Sequence, residues 1–368
     1  MDLRELFTNI VPPPQFLLMP SVGIDVSDAS LKYVRFTQAY GKSNHIRLEA
    51  CGDIPLAPGV VVEGKVQDKD VLVAELKKIR KQLGVSFVRV SLPEKHAYIF
   101  ETEIEPGAAP SEIRGLLEFK LEENVPISPR EAFFDYEIIE HIAQTEKLRV
   151  VVTVYGKETV TQYHDVCVAA GFMPLSFEVE AQAIARAVTT QSEHHSSMII
   201  DFGERHTGVG IVHNGVLVHA FASDVGGSTL SQVMRNVLGS EQTEVELTAL
   251  KNKHGLRNTH TNRKVRDALV KVVDGLADEF LSRIQYWNDE ERAHGDREVS
   301  EVILCGGSAN LAGLPEYLSK TLNIPTRRAS VWQNAFSTET FIPPIDEPHS
   351  YGYATAIGLA LADIGRLS

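Results

Sequence analysis

Cysteine is nearly absent: Cys51, Cys167 and Cys305 are the only three in 368 residues, far apart and without a CxxC pair. That spacing excludes a disulfide framework and a cysteine zinc site, and reads as small buried residues in a reducing compartment. Positive charge is in deficit. With 36 Lys and Arg against 49 Asp and Glu, the formal net charge is −13. That argues against a general nucleic-acid binder, whose affinity rests on basic side chains meeting phosphates. No apolar run reaches the roughly 18 residues that a membrane span needs. The N-terminus lacks the basic and apolar regions of a secretory signal, so a soluble, cytoplasmic protein is expected. Thirteen histidines include His194-His195 but no HExxH spacing, and a surface loop is the simpler reading of that pair than a metal site. What remains is globular: 43% hydrophobic and 23% charged, enough to bury a sizeable core over about two to three domains.

Taken in order, residues 1–20 form a lead-in. Leu3, Leu6, Phe7 and Ile10 repeat at helical spacing before Pro12-Pro13-Pro14 stops the helix. It reads either as a docking element or as a tail folded on its own domain. Val22–Val26 is a short buried strand, Leu31–Thr37 alternates as a second, Gly41-Lys42 marks a turn, and His45–Cys51 is a third. Asp70–Leu83 is an amphipathic helix ended by Gly84, and Val85–Leu92 is another strand. Over residues 93–175 the pattern changes. A strand at His96–Glu105 precedes a helix from Pro110 to Glu123, a hairpin of Phe133–Glu140 and Leu148–Tyr155, and a helix at Lys157–Ala170 closed by Gly171. This β-α-β-β-α set has the size of an inserted subdomain. Phe177–Ala187 reads as an Ala-rich helix whose small residues suit close packing. Further helices fall at Thr229–Leu238, Thr243–Lys251 and residues 263–290, the last with Val265, Leu269, Val272, Leu276, Phe280, Ile284 and Trp287 on one apolar face. Glu301–Cys305 is a buried strand, and Tyr351–Ala360 a second small-residue helix.

The most informative stretch is Ile199-Ile200-Asp201-Phe202-Gly203-Glu204-Arg205-His206-Thr207. An apolar run carries one acid to its end, a Gly follows two residues later, and a hydroxyl arrives at the sixth. A Gly-permissive turn after a buried strand lets backbone N–H groups approach a phosphate, and the acid can hold Mg²⁺ through water. Strands at Met198–Gly203, Thr207–His213 and Val216–Ala222, with Asn214-Gly215 as a type I′ turn, repeat the pattern of residues 22–51. Asp25 and Asp201 occupy equivalent places. Two copies of one three-stranded unit predict a duplicated domain with an acid from each half facing a common cleft. A bland reading stands beside this one: a carboxylate or hydroxyl at a strand end commonly caps a turn, as Asp28 or Ser30 could, and Lys32 could be a solvated lysine.

The order of acid-bearing hairpin, Ala-rich helix, second acid-bearing hairpin, Gly-Gly loop and second small-residue helix resembles the actin, Hsp70 and sugar kinase superfamily over about residues 22–360. Within it the chain is most similar to the PilM family of type IV pilus assembly proteins, relatives of FtsA. Asp25 with Lys32 matches the first phosphate motif, and Asp201, Gly203 and Thr207 the second; Gly306-Gly307 with Gly313 matches the adenosine motif. Glu180, with Ala183, falls where relatives place a water-orienting side chain, and Asp224–Leu230 resembles the Gly-Gly turn into the smaller lobe. The resemblance implies an α/β, actin-like (ribonuclease H-like) duplicated fold around an interdomain cleft. Its implied parts are a lead-in (1–20), a first subdomain (21–92, completed by 345–368), an inserted subdomain (93–175), a second subdomain (176–227 and 299–344) and a helical smaller lobe (228–298).

For the site it implies ATP with Mg²⁺, slow hydrolysis or none. Asp25, Ser27, Asp28, Ser30, Lys32, Asp201, Gly203, Thr207, Gly226, Gly227, Lys251, Gly306, Gly307, Ser308 and Asn310 are the nucleotide-binding candidates. Glu180 is the catalytic candidate, and Asp25 and Asp201 hold the metal through water. The implied partner is the N-terminal tail of a PilN-like membrane protein, docked near the insertion, with self-association also open. That partner would make the chain peripheral to the inner membrane, with only indirect membrane contact. The sequence also departs from the family pattern. Ser27 and Asp28 stand where the first motif has Gly and a hydroxyl, and Thr248 where relatives carry a ribose-contacting Glu. A lost Gly restricts backbone approach, and a carboxylate repels phosphate unless a cation compensates. These departures support an alternative, a nucleotide-free actin-like assembly module. A small-molecule kinase would need a catalytic Asp beside a substrate hydroxyl, and none is evident in the insertion.

Overall fold

The computed structural model describes residues 19–39, 45–142, 146–190, 195–257, 263–291, 297–362 and 364. The lead-in stripe of Leu3 to Ile10, its prolines, the Gly41-Lys42 turn and His194 lie outside the described residues. The chain divides into two compact units. One is Met1–Thr190, Val331–Ile345 and Tyr353–Ser368; the other is Gln191–Ser330 and Asp346–Gly352.

The first unit opens with strands β1 (Ser21–Val26), β2 (Ser30–Ala39) and β3 (His45–Pro55), then a small hairpin of β4 (Val61–Val62) and β5 (Lys65–Val66). Helix α1 (Lys69–Leu83) starts where the Asp68 carboxylate accepts the Val71 N–H at 3.1 Å and ends at Gly84, φ 63°. Its buried face carries Leu72, Leu76 and Ile79, each worth about 1.5–3 kcal/mol of burial. After β6 (Phe87–Leu92) comes the insertion: β7 (Ala97–Ile104), α2 (Pro110–Asn124), β8 (Ala132–Ile142), β9 (Lys147–Gly156) and α3 (Lys157–Ala169). Its three strands order as β7-β9-β8, and α2 closes a small core of its own through Leu117 and Leu121 against Val150, Val152 and Val154.

One expected helix is corrected. Phe177, Glu178 and Val179 belong to strand β10 (Met173–Val179), parallel to β6, and only Glu180–Val188 is helical (α4). Phe177 and Val179 pair with Val90 and Leu92, so tertiary pairing overrides a local helical pattern. Helix α4 packs on α10 (Ala354–Leu361) as the small residues require. A Cβ at Gly358 would fall 1.6 Å from the Ala183 carbonyl oxygen, and Arg186 donates to the Gly358 carbonyl at 2.9 Å. Residues 176–190 and 331–344 are expected in the second subdomain. They cluster instead with the first because β10 pairs with β6, Phe336 packs edge-on to Phe36, and Asn334 donates to the Arg186 and Thr189 carbonyls.

The second unit contains β11 (Ser196–Phe202), β12 (Thr207–His213), β13 (Val216–Ser223), α5 (Gly227–Leu238), α6 (Glu244–Lys253), α7 (Arg263–Glu291), β14 (Val299–Cys305), α8 (Leu314–Leu322), β15 (Thr326–Arg328) and the single turn α9 (Glu347–Ser350). Asn214 and Gly215 take φ of 52° and 78°, as a type I′ turn demands. Thr243 and Glu246 close a capping box at the start of α6. On α7, Val273 and Ala277 join Leu269, Leu276, Phe280 and Ile284 in the core, while Val272 sits at the margin of the stripe. Tyr351–Tyr353 forms a 3-10 turn, so the expected Tyr351–Ala360 helix begins at Ala354.

The duplication holds at the level of topology. The sheets order as β10-β6-β1-β2-β3 and β15-β14-β11-β12-β13. In each, the acid-bearing strand lies between a parallel neighbour (β6 or β14) and an antiparallel one (β2 or β12). Asp25 faces Lys32 across its hairpin and Asp201 faces Gly208 across the other, the same seven-residue offset in both.

Candidate functional site

In the second unit three loops converge backbone to backbone. The turn after β11 is closed by the Gly203 N–H, which donates to the carbonyls of Asp201 (3.1 Å) and His206 (3.0 Å). Its Gly203 carbonyl accepts from the Gly227 N–H (3.0 Å) and the Ser308 hydroxyl (2.9 Å), and its Glu204 carbonyl accepts from the Ser228 N–H (2.8 Å). The Thr207 hydroxyl, fully buried, donates to the Val225 carbonyl at 2.6 Å. Side chains are excluded from these junctions. A Cβ at Gly226 would lie 2.4 Å from the Glu204 carbonyl oxygen, one at Gly227 2.3 Å from Ser308 Oγ, and one at Gly306 (φ 82°) 2.4 Å from Asp201 Oδ1. The Gly306 N–H donates to the Tyr351 carbonyl (3.0 Å), and the Asn310 amide donates to the carbonyls of Gly307 (3.1 Å) and Pro348 (2.7 Å).

Among the described residues, the backbone N–H groups of Glu204, Arg205, Gly307 and Ser308 have no protein acceptor, and the Arg205 guanidinium has no ion-pair partner. Donors left open on glycine-packed turns beside a strand-end carboxylate suit an anion. Asp201, Gly203, Thr207, Gly226, Gly227, Gly306, Gly307, Ser308 and Asn310 all belong to this cluster. Thr207, Ser308 and Asn310 act in it by holding the loops together. Arg205 carries no motif signal in the sequence, since it lies between the glycine and hydroxyl positions that define the motif.

Lys251 is nearby but differently engaged. It is buried, and its Nζ donates to the Gly227 carbonyl (3.1 Å), Ser231 Oγ (2.8 Å) and Glu244 Oε1 (3.4 Å). Glu244 also pairs with Arg235 at 2.6 Å and accepts from the Ser231 hydroxyl. Burial raises the Glu244 pKa, but these donors outweigh it and hold the carboxylate below its usual range.

In the first unit the corresponding loop closes on itself. The Ser27 hydroxyl donates to the Ser30 carbonyl (3.0 Å) and accepts the Ser30 N–H (3.1 Å), and Lys32 Nζ donates to Ser30 Oγ (2.8 Å). The Asp28 carboxylate accepts the N–H groups of Glu63 (2.8 Å) and Gly64 (3.0 Å), holding the β4–β5 turn. Asp25 is buried and accepts from the Ser91 hydroxyl at 2.8 Å. Burial pushes its pKa up, against the pull of Lys32. Glu180 sits at the first position of α4, hydrogen-bonded to the carboxyl of Glu94. Glu94 is buried, accepts the Ala181 N–H at 2.7 Å, and has its pKa raised chiefly by burial. Glu178, two residues before Glu180, lies in β10 and pairs with Arg186 at 2.6 Å. Glu94 gave no motif signal. Its role comes from Ala181 and Glu180, remote in sequence. Among the described residues, no group of three or more His, Cys, Asp or Glu could hold a metal ion, and no helix is long and apolar enough to cross a membrane.

Two five-stranded sheets of one topology, each with an acid on its central strand, define an actin-like fold. The fold is similar to that of MreB5 of Spiroplasma citri bound to ADP (TM-score 0.55, 14% identity, 94% of this chain and 97% of that one). It is likewise similar to ethanolamine utilization protein EutJ from Carboxydothermus hydrogenoformans (TM-score 0.53, 17% identity, 95% and 90%). Similarity is greater to a PilM-PilN type IV pilus biogenesis complex, with TM-score 0.75 at 18% identity over 94% of this chain and 98% of that one. A sequence profile of the type IV pilus assembly protein PilM matches residues 23–364. The chain belongs to that family.

Proposed function

We propose that the chain is an actin-like scaffold of type IV pilus, or related, inner-membrane assembly, that it binds ATP, and that a PilN-like tail peptide recruits it to the membrane. The observation carrying the nucleotide reading is the convergence of the turn after β11, the Gly226-Gly227 turn and the Gly306–Ser308 loop, with open N–H donors and side chains excluded. A polyphosphate fits such a cradle. Asp201, near the end of β11, would hold Mg²⁺ through water, and the ion would offset phosphate charge. The MreB5 similarity is in keeping with this, since that protein is described with ADP and with AMPPNP. The partner reading rests on family membership and on the PilM-PilN similarity. The insertion offers apolar contact area for a peptide: Phe119, Phe133 and Ile138 are 58%, 48% and 52% exposed.

Calorimetric titration with Mg-ATP tests the nucleotide claim. A saturable signal lost in Asp201→Ala supports it; no heat at high micromolar ATP with the protein folded overturns it. For the partner, a synthetic PilN-type tail should bind the wild type and lose affinity in Phe119→Ser; equal binding by both would remove the insertion from the proposal.

A second reading, a nucleotide-free assembly module, is favoured by the self-closed Ser27–Ser30 turn and by the Asp28 carboxylate holding Glu63 and Gly64. Calorimetry separates the two.

A further inference from the structure

Lys251 has the residue type of a ligand-binding cation but the surroundings of a fastener. Gly227 and Ser231 are four apart on α5, and Glu244 and Lys251 seven apart on α6, so each pair lies along one helix face. Where these faces meet, Lys251 Nζ finds the Gly227 carbonyl at 3.1 Å, the Ser231 hydroxyl at 2.8 Å and Glu244 Oε1 at 3.4 Å. An ammonium has three donors, and three acceptors surround this one. The Ser231 hydroxyl oxygen also lies 3.2 Å from the Gly227 carbonyl oxygen, so both acceptors sit side by side before the ammonium. The backbone of Lys251 is fixed as well: its carbonyl accepts the Ala312 N–H at 3.1 Å. Gly227 in turn donates its N–H to the Gly203 carbonyl, so the chain of contacts runs from Glu244 through Lys251 and Gly227 to the turn that follows Asp201.

We propose that Lys251 is a positioning residue: charge-neutralised by Glu244, it holds the Gly226-Gly227 turn against the turn after Asp201 and never touches the bound nucleotide. The inference rests on the nucleotide reading for its functional consequence but not for its geometry. Ser231 and Glu244, which no motif marks, become part of the same device.

The groups facing the ammonium are Glu244, Glu204 and Arg235, with the Ser231 hydroxyl. Burial lowers the Lys251 pKa, Glu244 and Glu204 pull it back up, and Arg235 adds to the lowering. The ammonium therefore loses its proton below the ordinary lysine range. Lys251→Arg keeps the charge to much higher pH.

Two measurements test this on the full chain. In nucleotide-free protein, amide hydrogen exchange at Gly227 and Ser228 should be about tenfold faster in Lys251→Met than in wild type, with exchange in α8 unchanged as a control for folding. Glu244→Gln, which keeps the side-chain volume, should accelerate the same amides to a smaller degree. In titrations, Lys251→Met should weaken Mg-ATP and Mg-ADP by the same factor, about tenfold, and Lys251→Arg should restore most of it. Wild-type affinity should fall on the alkaline side relative to Lys251→Arg. Unchanged exchange at Gly227 and Ser228 in Lys251→Met overturns the proposal. So does a loss confined to ATP, which would mean direct contact with the terminal phosphate. If wild type binds neither nucleotide while Lys251→Met accelerates the exchange, the fastening stands and the nucleotide reading falls.

Discussion

The two acid-bearing hairpins share a topology and part company in their loops. At Asp201 the turn is stitched to two other loops through backbone groups, and glycines at 226, 227 and 306 keep side chains out of the junctions. At Asp25 the turn is stitched to itself through Ser27, Ser30 and Lys32, with Asp28 diverted to the β4–β5 hairpin. One loop keeps N–H groups open; the other satisfies its hydroxyls internally. A duplicated fold can thus keep both sheets while its two loops differ, because the sheet order depends on strand pairing and not on the loop residues.

The sharpest way to break the comparison is to attack the first half through its closest backbone approach and then each hairpin through its acid. Gly358→Ala should unfold or strongly destabilise the first unit, by about 4 kcal/mol or more, since its Cβ would meet the Ala183 carbonyl at 1.6 Å. Chemical denaturation with domain-resolved probes would show the loss there and not in the second unit. Next in size, Asp201→Ala should reduce Mg-ATP affinity by about a hundredfold, whereas Asp25→Asn, replacing a buried carboxyl of raised pKa, should cost less than about tenfold. Equal losses would erase the asymmetry between the hairpins.

Arg205→Ala should weaken ATP by roughly three- to tenfold, with the difference shrinking as salt rises. A salt-independent loss would point to altered turn geometry instead of charge. The smallest effect concerns the Glu94–Glu180 pair. Raised folded-state pKa values mean the folded protein binds more protons than the unfolded chain, so stability falls as pH rises from the ordinary carboxylate value toward the folded one. Glu94 and Asp25 are both raised. Glu94→Gln can still accept the Ala181 N–H and should melt roughly 2–4 °C higher than wild type at neutral pH, with a flatter melting profile below it. A lower melting temperature confined to neutral pH would show that the ionised Glu94 is stabilising.

Much of the fold could be read in advance because it is carried by local periodicity. An apolar run ending in an acid marked β11, alternation marked β2, Asn214-Gly215 marked the hairpin, and Gly84 marked the end of α1. Phe177–Val179 misled for a physical reason: next to an Ala-rich run they continue a helical pattern, but partners on β6 take them as a strand. The site was legible where it depends on glycine and obscure where it depends on side-chain pairing. Gly226, Gly227 and Gly306, picked out by motif spacing, sit at close approaches that a Cβ would fill. Glu94, Ser231 and Glu244 are ordinary polar residues until Ala181, Lys251 and Arg235 are brought against them.

The sequence by itself determined the duplicated strand pattern, the insertion between β6 and α4, the two small-residue helices and the glycine loops, since each follows from residue size and spacing along a short stretch. Only the tertiary structure decided which polar groups are already committed: Asp28 to Glu63 and Gly64, Lys251 to Gly227, Ser231 and Glu244, Thr207 to Val225. A hydrogen bond between residues distant in sequence uses up a donor without leaving any mark on the order of letters. For that reason the turn after Asp201 keeps backbone N–H donors open, while the turn after Asp25 has its hydroxyls and the Asp28 carboxylate already committed.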